Sequence, residues 1–95
     1  MLEVIYSKRA EQDIFEIGYY LGERNPFASE QLLSKIYKSC DNLQNFPFIG
    51  QQCDEISIGI RYLVIGNYLV FYKVNNQMVR ILRILHSARH LPEIL

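Results

Sequence analysis

Apolar residues recur at helical spacing in the first half of this 95-residue chain. From Lys8 to about Arg24 they return every three or four positions, which predicts an amphipathic helix. Ser7 stands where a helix N-cap is expected. Asn25-Pro26 interrupts the pattern and also suits the start of a second helix, because Asn caps well and Pro fits the first turn. That second helix is expected to run to about residue 45, and the short connection predicts an antiparallel helical hairpin.

The remaining apolar runs have the character of β-strands. Residues 2–6 form a short first strand, and two further runs, 61–65 and 68–74, flank a Gly66-Asn67 pair suited to a two-residue hairpin loop. A second turn is expected at Asn75-Asn76 or one residue later, since Asn tolerates positive φ. We therefore predict an α+β fold in one domain, residues 1–95: an N-terminal strand, an antiparallel helical hairpin and a three-stranded antiparallel meander.

The two turns also predict which side chains share a face of the sheet, because opposed residues of antiparallel strands lie on one side. The first face is expected to carry Arg61, Leu63, Ile65, Tyr68, Val70, Tyr72, Val74, Val79, Ile81, Arg83 and Leu85. The second face is expected to carry Tyr62, Val64, Leu69, Phe71, Lys73, Met78, Arg80, Leu82, Ile84 and His86. Both faces are mostly apolar, so we expect both to be covered, one by the helices and the other by the chain's tail, a second copy or a partner.

Two arginines and two tyrosines of the first face suggest a binding surface. Arg and Tyr are enriched where interfaces concentrate binding energy, so Arg61, Arg83, Tyr68 and Tyr72 are predicted to meet a partner. The alternative is that the two arginines lie at the rim and form ion pairs with acidic residues of the chain.

Charge and cysteine content narrow the possible functions. Ten Lys and Arg balance ten Asp and Glu, which argues against a broad nucleic-acid footprint, so no sequence-specific DNA binding is expected. No apolar run is long enough to cross a bilayer and no signal peptide is visible, so we expect a cytoplasmic protein with no membrane partner. Cys40 and Cys53 lack metal-ligand spacing, and no metal or cofactor is expected.

The order of these elements, together with short stretches of sequence along them, resembles the RelE/ParE toxin superfamily and its ParE branch in particular. The stretches are Val4-Ile5-Tyr6-Ser7, Phe46-Pro47, Arg61, Gly66-Asn67-Tyr68, Tyr72, Ile84-Leu85-His86-Ser87-Ala88-Arg89 and the final His-x-x-Arg-x-Leu-Pro. The resemblance implies a toxin of a type II toxin–antitoxin module, held inactive by a cognate antitoxin that is ParD-like or similar.

Two activities occur in that superfamily. RelE-like toxins cut mRNA on the ribosome with lysines before the central strands, arginines on the sheet and an aromatic acid/base near the C-terminus. ParE-like toxins poison DNA gyrase and have no recognised catalytic centre. Here residues 46–60 contain no Lys or Arg, and only His86 and His90 could replace the C-terminal group. DNA gyrase is therefore the expected target; the alternatives are an mRNA endonuclease using Arg61, Arg83 and His86, or a relic without toxicity.

The resemblance extends the predicted binding surface for antitoxin or target to Arg61, Tyr68, Tyr72, Arg83, His86 and Arg89. A histidine that exchanges its proton near neutral pH suits general-base catalysis, but His86 also suits a structural role at the end of the last strand. Arg89 is expected to form an ion pair with the helices or to contact the partner.

Overall fold

The computed structural model describes residues 1–88 and has the predicted α+β architecture. Its elements are β1 (Glu3–Tyr6), α1 (Lys8–Arg24), α2 (Pro26–Asn42), β2 (Gln51–Gln52), β3 (Arg61–Ile65), β4 (Tyr68–Val74) and β5 (Met78–His86). The strands form one five-stranded sheet in the order β1-β5-β4-β3-β2. The meander β3-β4-β5 is confirmed and is extended at both edges, by the two-residue strand β2 and by β1, which pairs in parallel with β5. Neither helix in this part of the chain is long and apolar enough to cross a bilayer.

A single residue connects the two helices. Asn25 ends α1 by donating its backbone N–H to the carbonyl of Leu21, and its side-chain oxygen accepts the N–H of Ala28 in α2 at 3.1 Å. Ser7 caps α1 as predicted, because its Oγ accepts the N–H of Ala10 at 3.0 Å. The helix bounds of α1 are confirmed, whereas α2 ends at Asn42, about three residues before the predicted end.

The two β-turns use different chemistry. Gly66 has φ +59° and Asn67 does not have positive φ, which is the pattern of a type II′ hairpin turn with Gly at its first central position. At the second turn the expectation of a positive φ at Asn is wrong, since no non-glycine residue between 1 and 88 has one. Instead, the Asn75 side-chain oxygen accepts the backbone N–H groups of Gln77 and Met78, at 2.8 and 2.9 Å.

A β-bulge in β5 changes which residues face the helices. Tyr72 lies opposite Ile81, but Phe71 lies opposite Arg83, so Leu82 is an extra residue in β5. The pairing after the bulge is shifted by one residue, and side-chain alternation is therefore inverted there. The predicted faces were wrong from this point onward: Ile84 packs on the helical side, and Leu85 packs on the other side.

The first face of the sheet is the one that the helices cover. Its buried core combines residues of both helices and of the sheet: Ala10, Ile14, Ile36, Cys40, Leu43, Ile65, Val70, Tyr72, Val79, Ile81 and Ile84. The prediction that this face meets a partner is therefore wrong for its centre. The second face is partly covered by the chain itself, since Cys53, Ile56 and Ile60 of the loop before β3 pack on Phe71 and Leu85. The tail proposed as a cover lies outside the described residues.

Gly50 fixes the segment that joins α2 to the sheet. Its N–H donates to the Tyr72 hydroxyl at 2.8 Å, and an added Cβ would collide with that hydroxyl and would lie 2.9 Å from the backbone carbonyl oxygen of Tyr62. The Tyr62 carbonyl belongs to the backbone of the sheet and cannot move aside easily to make room for the Cβ. The position therefore requires glycine.

We expect Gly50→Ala to lower the free energy of unfolding by about 1 to 3 kcal/mol, through overpacking and loss of the Tyr72 hydrogen bond. Gly22→Ala is the matched control. It lies within α1 with only the Ser29 hydroxyl near its added methyl group, at 3.9 Å, and is expected to raise stability by about 0.5 to 1 kcal/mol. Urea denaturation of both variants measures the difference, and equal effects of the same sign would contradict this packing.

Candidate functional site

A buried ion pair joins the first helix to the bulge in the last strand. The Asp13 carboxylate accepts two hydrogen bonds from the Arg83 guanidinium, from Nε at 2.8 Å and from Nη2 at 3.0 Å. It also accepts the backbone N–H of Ile84 at 3.0 Å. Both side chains are about 9% exposed. The hydrogen bond to Asp13 raises the pKa of Arg83, so the guanidinium stays charged at any physiological pH.

Tyr72 and Arg61 are held by the segment that precedes the sheet. Tyr72 is fully buried, and its burial raises the pKa of its phenol. Arg61 lies opposite Tyr72 and donates from one guanidinium nitrogen to the carbonyls of Gly50 and Phe48, at 2.8 and 3.1 Å. Its guanidinium also lies 5.1 Å from the centre of the Phe48 ring. Arg61 thus organises the chain after α2.

A pair of rings at the other end of the sheet consists of half-buried Tyr68 and exposed His86. Their rings meet edge to face with centroids 5.3 Å apart, and the backbone N–H of Ala88 donates to His86 Nδ1 at 3.1 Å. Burial raises the pKa of Tyr68. His86 ends β5 and accepts a backbone hydrogen bond, which agrees with the structural role considered for it in the sequence analysis.

The structure brings four of the predicted residues together in two separate pairs and not in one patch. Arg61 lies opposite Tyr72 and His86 lies opposite Tyr68, four residues away along β4, which is about 13 Å at ~3.3 Å per residue. The prediction of an open patch is wrong for Tyr72, which is core, and for Arg83, which is buried against Asp13. The alternative interpretation was that Arg83 forms an ion pair with an acidic residue at the rim. Arg83 does form such a pair, but the pair is buried inside the fold. Arg89 lies outside the described residues.

A wide concavity lies elsewhere, where β1 meets the two helices. We call it the helical groove; it measures about 810 Å³ and is lined by Val4, Tyr6, Ile14, Phe15, Tyr19, Leu33 and Tyr37, among others. Phe15 and Tyr19 stack with centroids 6.3 Å apart and remain 67% and 62% exposed. Large exposed aromatic side chains beside a concavity are typical of a protein-binding surface.

Sequence reasoning missed both Asp13 and the helical groove. Asp13 falls on the apolar stripe of α1 between Ala10 and Ile14, and an acid in such a stripe indicates a buried partner of opposite charge. For the groove, the signal was Phe15 and Tyr19, one helical turn apart on the side of α1 away from the core.

The two cysteines carry no sign of reactivity. Cys40 and Cys53 are buried free thiols. Burial raises the pKa of Cys40 to about 11, and burial also raises the pKa of Cys53, so both thiols are protonated at neutral pH.

Comparisons with known proteins agree with the fold described above. The model of a family described as the ParE toxin of the type II toxin–antitoxin system parDE matches residues 4–91. Toxin RelE2 of Caulobacter vibrioides is 30% identical over 90 residues, which cover 94% of this chain and 99% of that protein.

Two solved toxin–antitoxin systems have the same fold. One is the chromosomal ParDE system from P. aeruginosa, with a TM-score of 0.77 and 19% identity over 90% of this chain and 96% of that one. The other is the E. coli DinJ–YafQ complex, with a TM-score of 0.61 and 16% identity over 92% of this chain and 93% of that one.

Removing the acidic member of the buried pair tests how firmly Arg83 is held. We expect Asp13→Ala to lower the free energy of unfolding by about 3 to 5 kcal/mol, because Arg83 and the Ile84 N–H then lose their buried acceptor. Asp41→Ala, at an exposed position of α2, is expected to change stability by less than about 0.5 kcal/mol. Thermal and urea unfolding measure both variants; similar small effects would show that the pair is dispensable.

Proposed function

Because this chain belongs to the ParE toxin family of type II toxin–antitoxin systems, we propose that it acts by binding DNA gyrase and not by cutting messenger RNA. The observation that carries this proposal is the buried Asp13–Arg83 pair. An arginine that neutralises a phosphate in a transition state needs its donors directed at the substrate, whereas two donors of Arg83 are directed at Asp13.

The other members of the nuclease alternative are no better placed. Arg61 donates to two backbone carbonyls, and His86 lies at the far end of β4 from it. Cleavage through the 2′-hydroxyl needs a base, an acid and cations around one phosphate, within hydrogen-bonding reach of each other. The loop before β3 adds no cation, since residues 46–60 lack Lys and Arg. The arrangement favours recognition of a protein target, for which exposed His86 and half-buried Tyr68 stay available.

We also propose that the helical groove binds an amphipathic segment of the cognate antitoxin. The groove combines an aliphatic floor with exposed aromatic rings, which suits the apolar face of such a segment. An antitoxin segment in this groove would leave Tyr68 and His86 uncovered, because neither residue lines it. The antitoxin and the target could then contact different residues of the chain. The cytoplasmic location expected from the sequence would place the chain with both partners and stays a prediction.

The target is tested with purified protein and with cells that express the chain without antitoxin. We expect inhibition of DNA supercoiling by gyrase and unchanged cleavage patterns in primer-extension maps of cellular mRNA. Codon-positioned cuts that appear with the wild-type chain and disappear with His86→Ala would establish the nuclease alternative. Normal growth together with uninhibited gyrase would identify a relic without toxicity.

The antitoxin site is tested with two matched substitutions on the helices. Phe15 and Phe27 are 67% and 68% exposed, but only Phe15 lines the helical groove. We expect Phe15→Ser to weaken binding of the cognate antitoxin at least tenfold, because a central aromatic contact is lost, and Phe27→Ser to leave it within about twofold. Isothermal titration calorimetry measures both affinities. Equal losses, or no loss with Phe15→Ser, would place the antitoxin elsewhere.

A further inference from the structure

A second groove, of about 650 Å³, lies between the start of α1, the loop before β3, and strands β4 and β5. We call it the cationic groove. Four basic side chains line it: Arg83, which is paired with Asp13, and three exposed residues, Arg9, Lys73 and Arg80. An aliphatic floor is formed by Ile56, Ile60 and Leu82. It shares no lining residue with the helical groove.

The three exposed basic side chains stand where the fold alone would disfavour them. Lys73 lies directly opposite Arg80 across β4 and β5, and like charges opposed in a sheet repel each other. Arg9 is in the first turn of α1, where the helix dipole favours an acidic residue. Each placement is mildly unfavourable by itself. Their coincidence in one groove indicates a site that is completed by an anion.

No carboxylate of residues 1–88 supplies that anion. The ion pair of this part of the chain is the one between Asp13 and Arg83, and Arg9, Lys73 and Arg80 have no acidic side-chain oxygen within 4.0 Å in the described structure. Lys73 is 3.4 Å from the Ser57 hydroxyl, which can accept a hydrogen bond but carries no charge. All three side chains are exposed to solvent.

We infer that the cationic groove binds a short protein segment that carries both carboxylate and aliphatic side chains. Three cations match a few carboxylates, and the floor of isoleucine and leucine matches aliphatic residues between them. A single-stranded nucleic acid fits less well, because no aromatic ring is among the described lining residues for a base to stack on, and the chain has no excess of positive charge.

The inference rests on the proposed function only in naming the partner. If the chain is the toxin of its module, the segment belongs to the antitoxin and contacts the toxin at a second place besides the helical groove. Two linked contacts would strengthen the complex through effective concentration, and the second would respond to salt because it is ionic.

The binding test uses a fluorescein-labelled 12-residue peptide of glutamate and leucine only, its glutamine-for-glutamate analogue, and a 12-nucleotide oligouridylate. The full chain and its Arg80→Glu variant are titrated by fluorescence anisotropy at low and high salt. We expect the glutamate peptide to bind the wild-type chain at least tenfold more tightly than it binds the Arg80→Glu variant. Its affinity for the wild-type chain is expected to fall at high salt. Arg80→Glu keeps a folded protein, because Glu opposite Lys73 is a favourable pair, and its melting temperature is not expected to fall.

Lys38→Glu is the matched control, since it makes the same charge change at an exposed position of α2 outside the groove. It is expected to bind the glutamate peptide within about twofold of the wild-type chain. The inference is overturned if Arg80→Glu binds as tightly as the wild-type chain, if the glutamine analogue binds equally well, or if oligouridylate binds more tightly than the peptide. Gyrase and cell growth play no part in these measurements, so their outcome is independent of the proposed function.

Discussion

The bidentate ion pair between Asp13 and Arg83 is the interaction on which the rest of this structure depends. A charge inside a protein must be matched, and here one carboxylate matches a guanidinium and also accepts the Ile84 N–H beside the bulge. The pair fixes the position of α1 relative to β5 to within hydrogen-bonding distance. Apolar packing alone would specify that position less strictly, because hydrophobic contacts have little directional preference.

That arrangement determines which surfaces remain for partners. With α1 and α2 placed over the first face and the loop before β3 over part of the second, the sheet is largely enclosed. The open concavities lie where elements meet: the helical groove beside β1, and the cationic groove at the start of α1. One is aromatic and the other ionic, so they suit different parts of a partner. Both grooves thus lie at junctions between elements.

The sequence predicted the elements well because their ends have local chemical causes. Ser7 and Asn25 cap through their own side chains, and Gly66 takes the positive φ that its turn requires. The bulge at Leu82 has no such local cause, because nothing in the run of alternating residues distinguishes it. Its neighbour Arg83 pairs with Asp13, seventy positions away in the chain. One extra residue then inverted the predicted faces beyond it. The expectation that Arg83 is open to a partner was wrong because its acidic partner lies far away in the sequence.

The parallel pairing of β1 with β5 has a consequence for how the protein is made. Val4 is aligned with Val79, and Ser7 donates to the carbonyl of Leu82, so residues of β1 and its neighbour must wait for residues made 75 positions later before these contacts can form. A message cut short, or a ribosome that stalls before the final strand, yields a polypeptide in which α1 has no guanidinium to hold it and β1 has no neighbour. Chains that end before β5 are therefore not expected to reach the folded state.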